Sequence, residues 1–282
     1  MSSKAGKGNA IAYWLGAAVI LAIMLGAGLA YKYSETNTKT EVEVLFLGDS
    51  VLAQSSVGKL VAAQGGYDVV NCAIGGTMLS VGGNEAPTEL QEMKDTLCMV
   101  ALTRSICNGD FGAQKATRVT EAVLNYLPAT VGTLAGVSFE NTGVLIFNHG
   151  VNDFYRAVVP DDPENPLNVD TFGGALRRVL TDLKETYPRL RIIYVTPPYA
   201  WYDNGIISCE EQDYGYGSLE TYVNLALDIC QEYQVETVDI YHDLYDISRP
   251  DADRIYTLDG LHPSEEGSRL IAGKIVEAIA IE

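Results

Sequence analysis

An α/β fold, a three-layer α/β/α sandwich around a five-stranded parallel sheet, is what this sequence predicts, and three observations predict it. Short, strand-like runs recur at residues 42–47, 67–72, 144–148, 191–196 and 236–240. Helical stretches lie between them, near 51–63, 114–127, 171–187 and 217–233, with a last one near 265–280. Strand and helix therefore alternate, the pattern of parallel strands joined by crossover helices. Finally, 282 residues at 47% hydrophobic content are enough for one sizeable α/β domain and an accessory segment.

The N-terminus is that accessory segment. Residues 10–31 carry no charge over 22 positions, and a helix of that length spans about 33 Å, close to the hydrocarbon core of a bilayer. A secretory signal has a shorter apolar core, about 7–15 residues, so the run reads as an uncleaved transmembrane signal-anchor, although Gly28-Leu29-Ala30 offers a small-x-small site that would release the protein after Ala30. Lys4 and Lys7 precede the run and no acid occurs among the first 34 residues, which places residues 1–9 as a cytoplasmic stub and the rest of the chain outside the cell membrane. Polar residues 32–40 then form a linker reaching at most about 30 Å, ahead of a domain at 41–282.

Within that domain the run 42–47 is mostly apolar with one acid and stops at Gly48, as a strand buried in a parallel sheet should. In the stretch 171–187, Leu176, Val179, Leu180 and Leu183 recur at three- and four-residue spacing and mark one helix face. The segment from Thr77 to Thr142 is long for a single crossover and holds more than one helical stretch; it either caps a pocket or covers a sheet face.

Four short blocks carry chemistry. They are Gly48-Asp49-Ser50, Gly75-Gly76, Gly150-Val151-Asn152-Asp153 and Asp259-Gly260-Leu261-His262. The first three follow strands, and parallel strands deliver their C-terminal loops to one edge of a sheet. On these residues, Ser50, Gly76, Asn152 and His262 above all, the chain over residues 41–282 resembles the SGNH hydrolases, also called GDSL esterases and lipases. Its first block reads G-D-S-V where the family has G-D-S-L, and its second reads Asn71-Cys72-Ala73-Ile74-Gly75-Gly76 where the family often has N-x-G-x-x-G. The resemblance implies a flavodoxin-like fold and ester hydrolysis without a cofactor.

The residues support the same reading on chemical grounds. A serine hydroxyl is a weak nucleophile until a base takes its proton. His262 can serve Ser50 in that way, and Asp259, three residues earlier, can hold the other imidazole nitrogen and stabilise the imidazolium. Negative charge growing on the carbonyl oxygen calls for donors, and three are available: the backbone N–H of Ser50, that of Gly76 (or of Gly75) and the side-chain amide of Asn152. Alone, Ser50 reads equally well as a helix N-cap and Asn152 as a turn residue. Asp49 and Asp153 are read as braces of their loops, and His149 and His242 match no motif. No G-x-S-x-G pentapeptide occurs, which argues against an α/β-hydrolase elbow.

Composition narrows the partners. Outside Lys4 and Lys7, 17 basic side chains face 37 acidic ones, a formal charge of −20, which excludes nucleic acid as a natural partner and disfavours anionic lipid. Five cysteines, at 72, 98, 107, 209 and 230, cannot all pair within the chain; 98 with 107 and 209 with 230 are the spacings open to bridges. With three histidines and no Cys/His cluster of ligand spacing, no metal site is expected. Tyr199, Trp201 and Tyr202 follow the fourth strand, and 17 tyrosines against 6 phenylalanines suit sugar rings better than a lipid tunnel. The expectation is a membrane-anchored esterase removing short acyl groups such as acetyl from glycans. A lipase, lysophospholipase or thioesterase, an acyltransferase, and a non-catalytic glycan-binding module are the alternatives.

Overall fold

A computed structural model describes residues 39–83, 93, 95–118 and 125–281. The stub, the run 10–31 read as a membrane span, and linker residues 32–38 lie outside them. Among the described residues no helix is long and apolar enough to cross a membrane.

The sheet is built from β1 (Val44–Gly48), β2 (Val69–Asn71), β3 (Val144–Asn148), β4 (Arg191–Val195) and β7 (Glu236–Val238), in the spatial order β2-β1-β3-β4-β7. Every pairing in it is parallel. Counting only these five strands, the order is 2-1-3-4-5, the flavodoxin-like arrangement, whose topological switch lies between the first and third strands. Two further strands, β5 (Trp201–Tyr202) and β6 (Ile207–Ser208), make a small antiparallel hairpin.

Side chains along a strand alternate between faces, and here both faces are covered. Leu45, Leu47, Leu145, Phe147 and Tyr194 enter one core. Over it lie α3 (Met99–Asn108), α5 (Leu127–Gly136), α7 (Phe172–Thr186) and α8 (Leu219–Glu232). Val44, Phe46, Ile146, Ile193 and Val195 enter the other, under α2 (Val57–Gly65) and α10 (Glu265–Ala280). The described part of the long segment 77–142 thus covers a sheet face: Leu102, Ile106, Leu127, Val131 and Leu134 belong to the first core.

Helix α7 shows how local sequence sets an element. Thr171 caps it by accepting the Gly174 N–H at 3.1 Å, Leu176, Val179, Leu180 and Leu183 are all buried, and the backbone leaves the helix at Tyr187, just before Pro188. Burying each such side chain contributes about 1.5–3 kcal/mol.

Two expectations need correction. The helix near 51–63 is two helices, α1 (Ser50–Ala53) and α2, because between them the Ser55 hydroxyl accepts the Val57 N–H at 3.5 Å and the Ser56 hydroxyl donates to Glu265 at 2.8 Å, interrupting the ladder. The helix near 114–127 is likewise interrupted: α4 (Gly112–Ala116) stops where Thr117 turns extended, and α5 starts at Leu127 with Pro128 in its first turn. All five cysteines are free thiols. The Cys107 thiol lies 3.5 Å from the Asp182 carbonyl, and the Cys209 sulfur accepts the Ala200 N–H at 3.4 Å and contacts the Tyr241 hydroxyl at 3.5 Å.

Candidate active site

The three N-terminal blocks meet at the switch between β1 and β3. β1 ends at Gly48, which lies so close to β3 that a Cβ there would come within 2.8 Å of the Asn148 carbonyl. Asp49 then caps α1, its carboxylate accepting the Val51 N–H at 2.9 Å. Ser50 is therefore the first residue inside the helix, not its cap. Its hydroxyl forms no hydrogen bond with any described residue, and the side chain is nearly buried, 7% exposed.

The glycine turn is laid against this loop by the Ile74 N–H, which donates to the Gly48 carbonyl at 2.8 Å. A Cβ on Gly75 would sit 3.6 Å from that of Ser50. The two glycines differ in what their N–H groups do. That of Gly75 donates to the Tyr126 hydroxyl at 2.9 Å. That of Gly76 has no partner among the described residues, and Gly76 takes φ +76°, a left-handed backbone that favours glycine.

Thr77 ties the blocks together, and nothing in the sequence singled it out. Its hydroxyl donates to the Ile74 carbonyl at 2.8 Å and lies 3.3 Å from His149 Nε2. Its own carbonyl accepts the Asn152 amide at 2.9 Å. Because the hydroxyl proton goes to Ile74, Nε2 of His149 must carry the imidazole proton, and Nδ1 is left without a partner. His149 is wholly buried, and burial pushes its pKa down to about 3, so it stays neutral.

Asn152 stands in the first turn of α6 (Val151–Tyr155), directly after β3. Asp153 beside it braces the loop beyond the glycine turn, accepting the N–H groups of Leu79 at 2.9 Å and Ser80 at 3.0 Å and the Ser80 hydroxyl at 2.7 Å. Asp49 is less well provided. Its second carboxylate oxygen is buried without a partner, and burial raises its pKa to about 7, with the bond from Val51 opposing and the charge of Asp153 reinforcing.

The fourth block is organised by one carboxylate. Asp259 Oδ1 accepts the N–H groups of Leu261 at 3.1 Å and His262 at 2.9 Å, while Oδ2 lies 2.7 Å from His262 Nδ1. That contact fixes the proton on Nδ1 and leaves Nε2 as the basic nitrogen. Burial alone would raise the Asp259 pKa, but the bonds from His262 and Leu261 outweigh it and hold the carboxyl below its ordinary range. The loop is closed by a bridge between Thr257 and Pro263, and Ser264 caps α10 through the Gly267 N–H at 3.1 Å. The start of α10 is tied to the segment after Ser50 by the Ser56 hydroxyl, which donates to Glu265 at 2.8 Å. No hydrogen bond joins Ser50 to His262 in this structure, and none of the described residues occupies Nε2.

A second Asp-x-x-His pair, unrecognised as a motif in the sequence, copies this geometry. Asp239 Oδ1 accepts the N–H groups of Tyr241 at 2.9 Å and His242 at 3.1 Å, and Oδ2 lies 2.7 Å from His242 Nδ1. The repeated spacing was the available signal. This pair follows β7, however, three strands from β1, or about 14 Å at the usual strand separation, and its Nε2 faces Glu220 at 3.6 Å.

The aromatic residues after β4 point inward more than the sequence suggested. Tyr199 is buried against Trp201 and Tyr241, Trp201 stacks on Tyr245, and the Tyr202 hydroxyl is buried without a partner. Among the described residues no cluster of three His, Cys, Asp or Glu side chains could hold a metal ion.

Comparison with known proteins agrees with the fold. The model of the GDSL-like Lipase/Acylhydrolase family matches residues 46–270. A protein from Lactobacillus plantarum superposes with a TM-score of 0.55 at 20% identity, covering 84% of this chain and 96% of its own. A possible lipase from Chitinophaga pinensis gives 0.53 at 15%, covering 84% and 97%. At such identities the structures speak for the fold alone. No curated protein sequence matches. The family match takes in all four blocks, omits only Val44 and Leu45 of β1, and runs into the final helix: this chain belongs to the GDSL-like Lipase/Acylhydrolase family and is a hydrolase of its kind.

Proposed function

We propose that the protein is a membrane-anchored extracytoplasmic serine esterase that removes short acyl groups, acetyl foremost, from carbohydrate through an acyl-enzyme, with Ser50 as nucleophile, His262 as base and Asp259 as its partner. The observation that carries this reading is the Asp259–His262 contact of 2.7 Å, which sets the tautomer that a general base needs, on a loop tied to the segment that follows Ser50. The missing Ser50–His262 hydrogen bond closes when substrate binds, as such contacts commonly do.

In acylation Ser50 Oγ bonds to the acyl carbon while its proton passes to His262 Nε2. The ester C–O bond then breaks, and that proton goes to the departing alcohol. Water repeats the sequence and frees the acid. The charge on the carbonyl oxygen is met by the N–H groups of Ser50 and Gly76 and by the Asn152 amide. Gly76 is preferred to Gly75 because the Gly75 N–H is already held by Tyr126. Each such donor lowers the barrier by about 2.7–4 kcal/mol.

Anchoring rests on the uncharged run 10–31 and its flanking lysines, and a carbohydrate substrate on the strongly acidic, tyrosine-rich composition. The full chain should hydrolyse p-nitrophenyl acetate, lose that activity in Ser50→Ala, and slow steeply from acetyl to octanoyl esters. Equal rates in wild type and Ser50→Ala would end the enzymatic assignment; a rise toward octanoyl would move it to a lipase.

A further inference from the structure

Of the two histidines that the proposed chemistry leaves unused, His149 alone is wholly buried. It stands between the end of β3 and Gly150, and the Tyr194 hydroxyl of β4 holds its backbone, donating to its carbonyl at 2.6 Å. Its ring reaches the glycine turn, with Nε2 3.3 Å from the Thr77 hydroxyl. We infer that His149 is a positioning residue for the oxyanion donors: acting through Thr77, its Nε2–H holds the turn that carries Gly76 and the carbonyl that orients the Asn152 amide.

The direction of each bond in this network is fixed. Thr77 has one hydroxyl proton, and the two carbonyls within its reach, Ile74 at 2.8 Å and Gly48 at 3.4 Å, can only accept it. The hydroxyl oxygen therefore accepts from the ring. Burial pushes the His149 pKa down to about 3, so the ring stays neutral and its single N–H is spent on Thr77 wherever His262 could act as a base.

What Thr77 holds gives that bond its consequence. Gly76 directly precedes it with φ +76°, and the Thr77 N–H closes the turn on the Ile74 carbonyl at 3.4 Å. On its other side the Thr77 carbonyl accepts the Asn152 amide at 2.9 Å. That amide is planar and has two N–H bonds, so fixing one aims the other. One residue thus adjoins two of the three proposed donors, and His149 holds its side chain. Donors matched to a transition-state oxygen lose their effect when they are displaced.

Packing alone is a poorer account of this residue. The Nδ1 of His149 is buried without a partner among the described residues, which works against folding, and an apolar side chain would fill the space without that cost. The effect is also confined to one side of the site. The loop that carries His262, between α9 (Ala252–Tyr256) and α10, shares no hydrogen bond with His149, Thr77 or Asn152 among the described residues. A change at His149 therefore reaches the oxyanion donors and spares the base.

This inference deepens the proposed esterase reading and rests on it, so its test carries a separate check of that reading. For the full chain, kcat and KM on p-nitrophenyl acetate would be measured in wild type, His149→Leu, His149→Gln, Asn152→Ala, the double variant His149→Leu with Asn152→Ala, and Ser50→Ala. His149→Leu should lower kcat about tenfold and keep KM within about twofold, the pattern of donors misplaced in the transition state. His149→Gln, whose side-chain amide offers an N–H in nearly the same place, should recover most of that loss. In the Asn152→Ala background, His149→Leu should cost about threefold or less, because a donor it places is already gone. Should His149→Leu fail to fold, Thr77→Val, which removes the acceptor of the same bond, takes its place in the cycle. An unchanged kcat in His149→Leu, a glutamine variant no better than the leucine one, or an equal loss with and without Asn152 overturns the inference and leaves the esterase standing. Hydrolysis of p-nitrophenyl acetate that does not depend on Ser50 overturns both.

Discussion

The Tyr126 hydroxyl accepts the backbone N–H of Gly75 at 2.9 Å across 51 residues of chain. It engages one of two adjacent N–H groups, while that of Gly76 has no partner among the described residues. Removing the hydroxyl in Tyr126→Phe strands a largely buried N–H, which costs about 1–3 kcal/mol. The melting temperature should fall accordingly, and kcat on p-nitrophenyl acetate should drop by about tenfold as the turn loosens, with KM little changed. Unaltered melting and kcat would mean that the turn holds its shape without this bond.

The two Asp-x-x-His pairs make a matched control. Asp259→Asn should lower kcat by about 10⁴-fold by allowing the wrong imidazole tautomer, and His262→Gln should be at least as damaging. Because His242 stands three strands from β1, His242→Gln should stay within about twofold of wild type. Purified variants assayed side by side decide the matter; a reversal of the two histidines would transfer the base to the loop after β7.

Asn152→Ala should reduce kcat by about 10²- to 10³-fold with little change in KM, the mark of a donor that matters chiefly in the transition state. The same substitution removes the bond to the Thr77 carbonyl. Thr77→Val therefore serves as the comparison, since it keeps that carbonyl and loses the hydroxyl contacts to Ile74, Gly48 and His149. A loss in Thr77→Val as large as that in Asn152→Ala would point to loop geometry instead of oxyanion stabilisation.

Asp49 gives stability a pH dependence of unusual sign for a carboxylate. Burial raises its folded pKa from 3.8 to about 7, so between those values the folded state holds a proton that the unfolded chain releases. Stability from this group is greatest below pH 4 and is lost as pH rises through 7. Asp49→Asn keeps a capping oxygen for Val51 without the charge, and its melting temperature relative to wild type should climb between pH 5 and pH 8. A flat difference across that range would show that Asp49 carries no burial penalty.

Much of this architecture was legible in the residues. The bounds of β3 and the final helix were read directly, because an uninterrupted apolar run and a Pro-Ser start are local signals. The first three blocks could be placed on one edge because each follows a strand and parallel strands present their C-terminal loops together, whereas the block at Asp259 follows no strand of the sheet. What escaped notice was non-local. Thr77 and Tyr126 act through partners up to 75 residues away, which periodicity does not record. The twin pair at Asp239 matches none of the four blocks, and in the sequence only its three-residue spacing, shared with Asp259 and His262, marks it. The aromatic residues after β4 stand out in the sequence, but their rings pack against Tyr241, Tyr245 and Tyr214, a competition for burial that a sequence motif does not reveal.

The assignment of the helix cap to Asp49 has a practical corollary. With the first turn closed by the preceding carboxylate, the Ser50 hydroxyl bonds to no described residue, and replacing it by alanine should remove the proposed nucleophile while sparing the scaffold. On the proposed roles, such a protein would bind its ester without turning it over and could serve as bait for the physiological substrate.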